Sequence, residues 1–197
     1  MPESKLRYVC VYCASSRSAD PKYAVAAKRL GRLLAMNGTA IVYGGGAVGS
    51  MGALADGALE AEGRVVGVLP HFMDEVEWGH KRLTELKLVA DMHERKRTML
   101  EGVDAAIALP GGCGTLEELL EAITWKRLSL FHQPIVIVNP DGFYDPLLAM
   151  LNRAVDERFM NEKHREMWAV VESVEQVIET IRETSPWDRD ARKFAVS

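Results

Sequence analysis

Short segments that are apolar at almost every position alternate, along the whole chain, with longer segments whose apolar residues recur at helical spacing. Tyr8–Tyr12, Thr39–Tyr43, Val65–Leu69, Ala105–Leu109 and Pro134–Asn139 read as strands with no polar face. A strand of that kind has to be covered on both sides, which means a parallel sheet between two layers of helix. The helical segments lie between them: Pro21–Asn37, Gly49–Glu62, Met92–Glu101, one running to about Leu128, Tyr144–Glu157 and Val174–Thr184. Glu85–Val89 and Trp168–Val171 add two shorter strands. His71–Leu83 has no clean period. The expected architecture is a single doubly wound (Rossmann-like) α/β domain over residues 1–185, followed by a polar C-terminal tail over 186–197. A chain of 197 residues suits one such domain.

Charge and cysteines narrow the function. A formal net charge of -4 argues against a broad basic surface for nucleic acid, but leaves room for a free nucleotide, which needs only a few placed cations. No apolar stretch approaches the roughly 20 residues that span a bilayer, and the polar start Met1–Arg7 does not read as a signal peptide. With three cysteines and no disulfide framework, the expected compartment is the cytoplasm. Cys10 and Cys13 form a C-x-x-C, yet they sit in a strand, where residues three apart point to opposite faces. They read as core cysteines, without the second pair that zinc would need.

Ligands of parallel α/β sheets bind where strands hand over to helices at their carboxyl ends. Two glycine-rich loops occupy such positions. Gly44-Gly45-Gly46-Ala47-Val48-Gly49 matches the dinucleotide spacing G-x-G-x-x-G, but Val65–Leu69 ends in Pro70-His71, with no acidic residue for a ribose diol. Gly45 and Gly46 are then either ligand contacts or packing glycines. The second loop, Pro110-Gly111-Gly112-Cys113-Gly114-Thr115, opens a helix that carries Glu117, Glu118 and Glu121 in its first two turns. Thr115 is placed to cap it, and free N–H groups at its start suit a phosphate. Upstream, Met92-His93-Glu94-Arg95-Lys96 begins a helix at the same sheet edge, where an Arg can grip phosphate or ribose in a fork.

Met92-His93-Glu94-Arg95-Lys96 followed by Pro110-Gly111-Gly112-Cys113-Gly114-Thr115-Leu116-Glu117-Glu118 resembles the paired signature of the Lonely Guy (LOG) family, the cytokinin riboside 5′-monophosphate phosphoribohydrolases. The likeness extends from Cys13-Ala14-Ser15-Ser16 to Asn139-Pro140-Asp141-Gly142-Phe143-Tyr144. It implies hydrolysis of N6-substituted AMP to free base and ribose 5-phosphate, with no cofactor and no metal. It also implies catalytic roles for Arg95 and Glu118. Substrate contacts fall by the same resemblance on Glu77, Lys96, Gly112, Cys113, Gly114, Thr115, Leu116, Glu117 and Thr124, and family members are commonly homodimers. General AMP hydrolysis and nucleotide binding without turnover remain open from these residues. Lysine decarboxylase, a label such proteins have carried, needs a Schiff-base lysine that no motif here marks.

Overall fold

The computed structural model describes residues 6–74, 79–190 and 193. Seven parallel strands form one sheet in the order β4-β3-β2-β1-β5-β6-β7. In chain order they are β1 (Tyr8–Tyr12), β2 (Ala40–Tyr43), β3 (Val65–Pro70), β4 (Glu85–Val89), β5 (Ala105–Ala108), β6 (Ile135–Val138) and β7 (Ala169–Val171). The helices are α1 (Pro21–Met36), α2 (Gly49–Glu60), α3 (His71–Asp74), α4 (Met92–Leu100), α5 (Cys113–Arg127), α6 (Asp145–Asp156) and α7 (Val177–Glu183). Strand order reverses about β1, which pairs with β2 on one side and β5 on the other. That reversal opens a crevice at the carboxyl end of β1.

The doubly wound expectation holds. One core cluster joins α1, α2 and α7 to one face of the sheet, and a second joins α4, α5 and α6 to the other. Cys13 belongs to the first and Cys10 to the second, so the two thiols lie on opposite faces, both free and buried. Burial pushes both thiols well above their ordinary range. The two edge strands depart from two-sided burial: β4 has Leu86, Lys87 and Leu88 exposed, and β7 has Val170 exposed. Glu85 and Lys87 keep the β4 edge charged, which discourages pairing with another chain.

Local sequence sets the helix ends. Asp20 accepts from Lys22 N at 2.9 Å, Pro21 starts α1, and Gly38 leaves it at φ 73°. At α4 the Asp91 carboxylate accepts from His93 N and Glu94 N, both at 2.8 Å, and Glu94 reaches back to Ala90 N at 2.6 Å. Within His71–Leu83 the described residues hold the single turn α3 and a bridge from Gly79 to Gly46. His80 N also donates to Gly45 O at 2.9 Å, so this segment buttresses the first glycine loop.

Past residue 185 one of the described residues is still packed into the core. Trp187 is buried in the α5–α6 cluster, and its backbone N donates to His132 O at 2.9 Å. Its ring lies 5.8 Å from the ammonium of Lys126, a fully buried lysine donating to Gln133 O at 2.9 Å. Burial pulls Lys126 down to about 8. Trp187→Ala is expected to cost about 3 kcal/mol. A thermal melt should then fall by roughly 6–12 °C; an unchanged melt would mean that Trp187 carries no stability.

Candidate active site

A cavity of about 730 Å³ fills the crevice, within the usual size for a small-molecule site. The loops after β1, β2 and β5 form its walls, and Arg95 and Glu118 face into it from α4 and α5. Both side chains are buried.

Arg95 is held from three directions. Its Nε donates to Val68 O at 3.1 Å, its Nη2 to Gly44 O at 3.1 Å, and its Nη1 lies 3.3 Å from Glu118 Oε1. The first glycine of the triple-glycine loop is explained by this contact, because a Cβ at Gly44 would collide with Arg95 Nη2. Gly45 has φ +77° and does not line the cavity; its carbonyl is engaged by His80. Gly46 lines the cavity, and a Cβ there would press on Met51 Sδ at 2.8 Å.

Burial pushes the Glu118 carboxyl up to about 7, Arg95 opposing and Glu117 adding to the rise. A carboxyl poised there exchanges a proton near neutrality, as acid–base chemistry requires.

The second loop differs from expectation in one detail. Helix α5 begins at Cys113, with Gly112 as its N-cap and no side chain capping it. Thr115 is therefore inside the first turn, buried against Gly111, where a Cβ would collide with Thr115 Oγ1. The helix start lies three residues earlier, with Gly112 in the extended conformation usual at an N-cap and, lacking a side chain, leaving the N–H groups uncovered. A Cβ built on Gly112 or Gly114 meets no protein atom within 4 Å, and both residues line the cavity. Packing does not require glycine at these two positions. The bare N-terminus of α5 faces the cleft, whereas that of α4 is already satisfied by Asp91.

Other residues named from the sequence lie around this centre. Lys96 is buried outside the cavity lining, its ammonium paired with Glu117 and Glu121. Burial opposes its charge, but the two carboxylates outweigh that and hold Lys96 above its ordinary value. Cys113 is exposed and Leu116 packs toward the α5–α6 core; neither lines the cavity. Thr124 is exposed, its hydroxyl donating to Leu120 O at 2.8 Å, and it too lies outside the lining. Glu77 lies outside the described residues. Among those residues no group of three or more His, Cys, Asp or Glu could hold a metal.

Two features come from contacts between distant segments. Met51, Leu69, Met73 and Met92 give the cleft an apolar wall drawn from four separate segments. Tyr144, buried, donates its hydroxyl to Leu109 O at 2.7 Å and so anchors the strand end from which the second loop departs.

Known proteins share both the fold and the sequence. Solved structures superpose over most of the chain. They include a molybdenum cofactor binding protein from Rippkaea orientalis (TM-score 0.69, 24% identity, 89% of this chain and 95% of that one). The protein TM1055 has a TM-score of 0.71 at 24% identity, covering 90% and 99%. At that identity the likeness is one of fold. A family model described as "Possible lysine decarboxylase" matches residues 51–181. The probable cytokinin riboside 5′-monophosphate phosphoribohydrolase LOGL5 of Oryza sativa subsp. japonica is 42% identical over 188 residues, 95% of this chain and 76% of the relative. The cytokinin riboside 5′-monophosphate phosphoribohydrolase LOG7 of Arabidopsis thaliana is 40% identical over 188 residues, covering 94% and 87%; LOG3 of the same plant is 38% identical over 186, covering 94% and 86%. With that identity along almost its whole length, the chain belongs to the LOG phosphoribohydrolase family.

Proposed function

We propose that this protein hydrolyses the N-glycosidic bond of N6-substituted adenosine 5′-monophosphates, releasing free base and ribose 5-phosphate. The observation that carries the reading is the buried Arg95–Glu118 pair facing a cleft that the uncapped start of α5 also enters. Backbone N–H groups at Gly112–Thr115 bind the 5′-phosphate, aided by the helix dipole. Phosphate binding is thereby converted into position of the sugar. As the C1′–N9 bond lengthens, positive charge builds on the ribose ring. The Glu118 carboxylate stabilises it and takes a proton from the attacking water. Hydroxide oxygen joins C1′, the electron pair of the broken bond leaves with N9, and the proton passes to the base. Arg95 stays charged throughout and orients Glu118 and the ribose.

The Met51, Leu69, Met73 and Met92 wall suits the N6 substituent, since thioether side chains adapt to an irregular apolar group. The decarboxylase description of the family model finds less support: none of the described residues lining the cleft is a lysine on which an aldehyde cofactor could be held. The finer reading is of a cytoplasmic homodimer. Sedimentation at micromolar concentration tests the dimer.

The deciding experiment follows base release from isopentenyladenosine monophosphate, AMP and adenosine. The expected result is release from both monophosphates, roughly 10–200-fold faster with the N6 group, and none from adenosine. No release from any, with AMP still bound, would leave a binding module. Gly114→Ala provides a separate check on the phosphate site. It should raise the AMP Kd about tenfold, or ~1.4 kcal/mol, while helix propensity raises stability by up to ~1 kcal/mol. Unchanged affinity would remove the α5 start from the site.

A further inference from the structure

Among the described charged groups, Arg95 and Lys96 from α4 and Glu117 and Glu121 from α5 act on the Glu118 carboxyl. From β1 and the residue that follows it, Glu118 interacts with Cys10, Tyr12 and Cys13, all held neutral by burial. Two cations thus stand against three carboxylates within two turns of one helix. Glu117 and Glu121 flank Glu118 at the preceding position and one turn on, and both are engaged by the single ammonium of Lys96. Lys96 itself is buried and absent from the cleft lining, so its charge is spent on these carboxylates.

We propose that Lys96 is a positioning residue acting through Glu118: by holding Glu117 and Glu121 in ion pairs, it lets the buried Glu118 carboxyl ionise beside them. The geometry favours this over a substrate contact, because reaching the cleft would cost Lys96 two pairs and leave two carboxylates uncompensated next to a third. Burial and neighbouring carboxylates both favour the protonated form of Glu118; Arg95 and Lys96 favour the ionised one. Removing Lys96 therefore moves the balance toward a protonated, inactive carboxyl. The inference rests on the catalytic reading of Glu118.

The test is kcat/KM against pH for the wild type and three variants. Lys96→Met should shift the acid limb upward by about one pH unit, a loss of roughly tenfold at pH 6 that closes at alkaline pH. Glu117→Gln/Glu121→Gln, which keeps the cation and removes the two carboxylates, should shift the limb downward. This second variant reads the same coupling should Lys96→Met fail to fold. Lys96→Met/Glu117→Gln/Glu121→Gln should bring the limb back toward the wild type. The substrate phosphate titrates near pH 6 for every enzyme compared and cancels. A uniform loss of rate at all pH values, with the limb unmoved in the variants, would overturn the proposal and mark Lys96 as structural or substrate-binding. An active Glu118→Gln enzyme would instead overturn the catalytic reading itself, so the two failures are separable.

Discussion

Glu118→Gln is expected to lower kcat by about 10²–10⁴-fold while AMP still binds, because the amide keeps the shape of the site and loses the charge and the proton acceptor. The same substitution has a stability signature of definite sign. In the fold the Glu118 carboxyl sits at about 7, above its ordinary 4.5. Between those values the native state binds more protons than the unfolded chain, so stability is greatest below pH 4.5 and falls as pH rises through 7. From this group alone the loss is about 3 kcal/mol. Denaturant melts of wild type minus variant, taken from pH 4 to 9, should show that slope; a flat difference would mean that Glu118 is not held in its buried environment. In the wild type kcat/KM should fall on the acid side with a midpoint near 7. The charge that serves the reaction is thus kept at a cost to the fold, which is common at functional sites.

Gly44→Ala should be almost as damaging without touching the substrate chemistry directly. The added Cβ lands on Arg95 Nη2, so the guanidinium has to leave its position between Gly44 O and Glu118. Displacing one member of a buried pair strands the other, at a cost of about 3–5 kcal/mol. Misplacing the group that orients the sugar should lower kcat/KM by about 100-fold or more. Rates and thermal melts would be compared with Gly112→Ala, where the added methyl meets no protein atom. The expected contrast is a destabilised Gly44 variant beside a Gly112 variant of near wild-type stability with altered nucleotide affinity. Equal behaviour of the two would mean that Arg95 is not held where the structure places it.

These effects separate what local pattern reveals from what it hides. The run of strands and helices was legible because both are periodic over a few residues. The opposite placement of Cys10 and Cys13 followed from strand geometry alone. The second glycine loop was visible, but not which glycines serve packing. Gly111 makes room for Thr115, whereas Gly112 and Gly114 face open space. Trp187 lay in a stretch that reads as polar, because one aromatic residue among charges shows no period; only its contacts near His132 and Lys126 reveal it as core.

The sequence by itself determined the parallel sheet, the two strand-to-helix loops at its carboxyl edge and the residues from which a nucleotide site could be made. The tertiary structure decided how those residues act. It set Arg95 against a glycine 51 positions away, turned Lys96 from the cleft to Glu117 and Glu121, and buried Glu118 until its proton became exchangeable near neutrality. The physical reason is range. Hydrogen-bonded periodicity and capping are settled between near neighbours, whereas desolvation and charge pairing depend on everything that packs around a group, and most of that comes from distant parts of the chain.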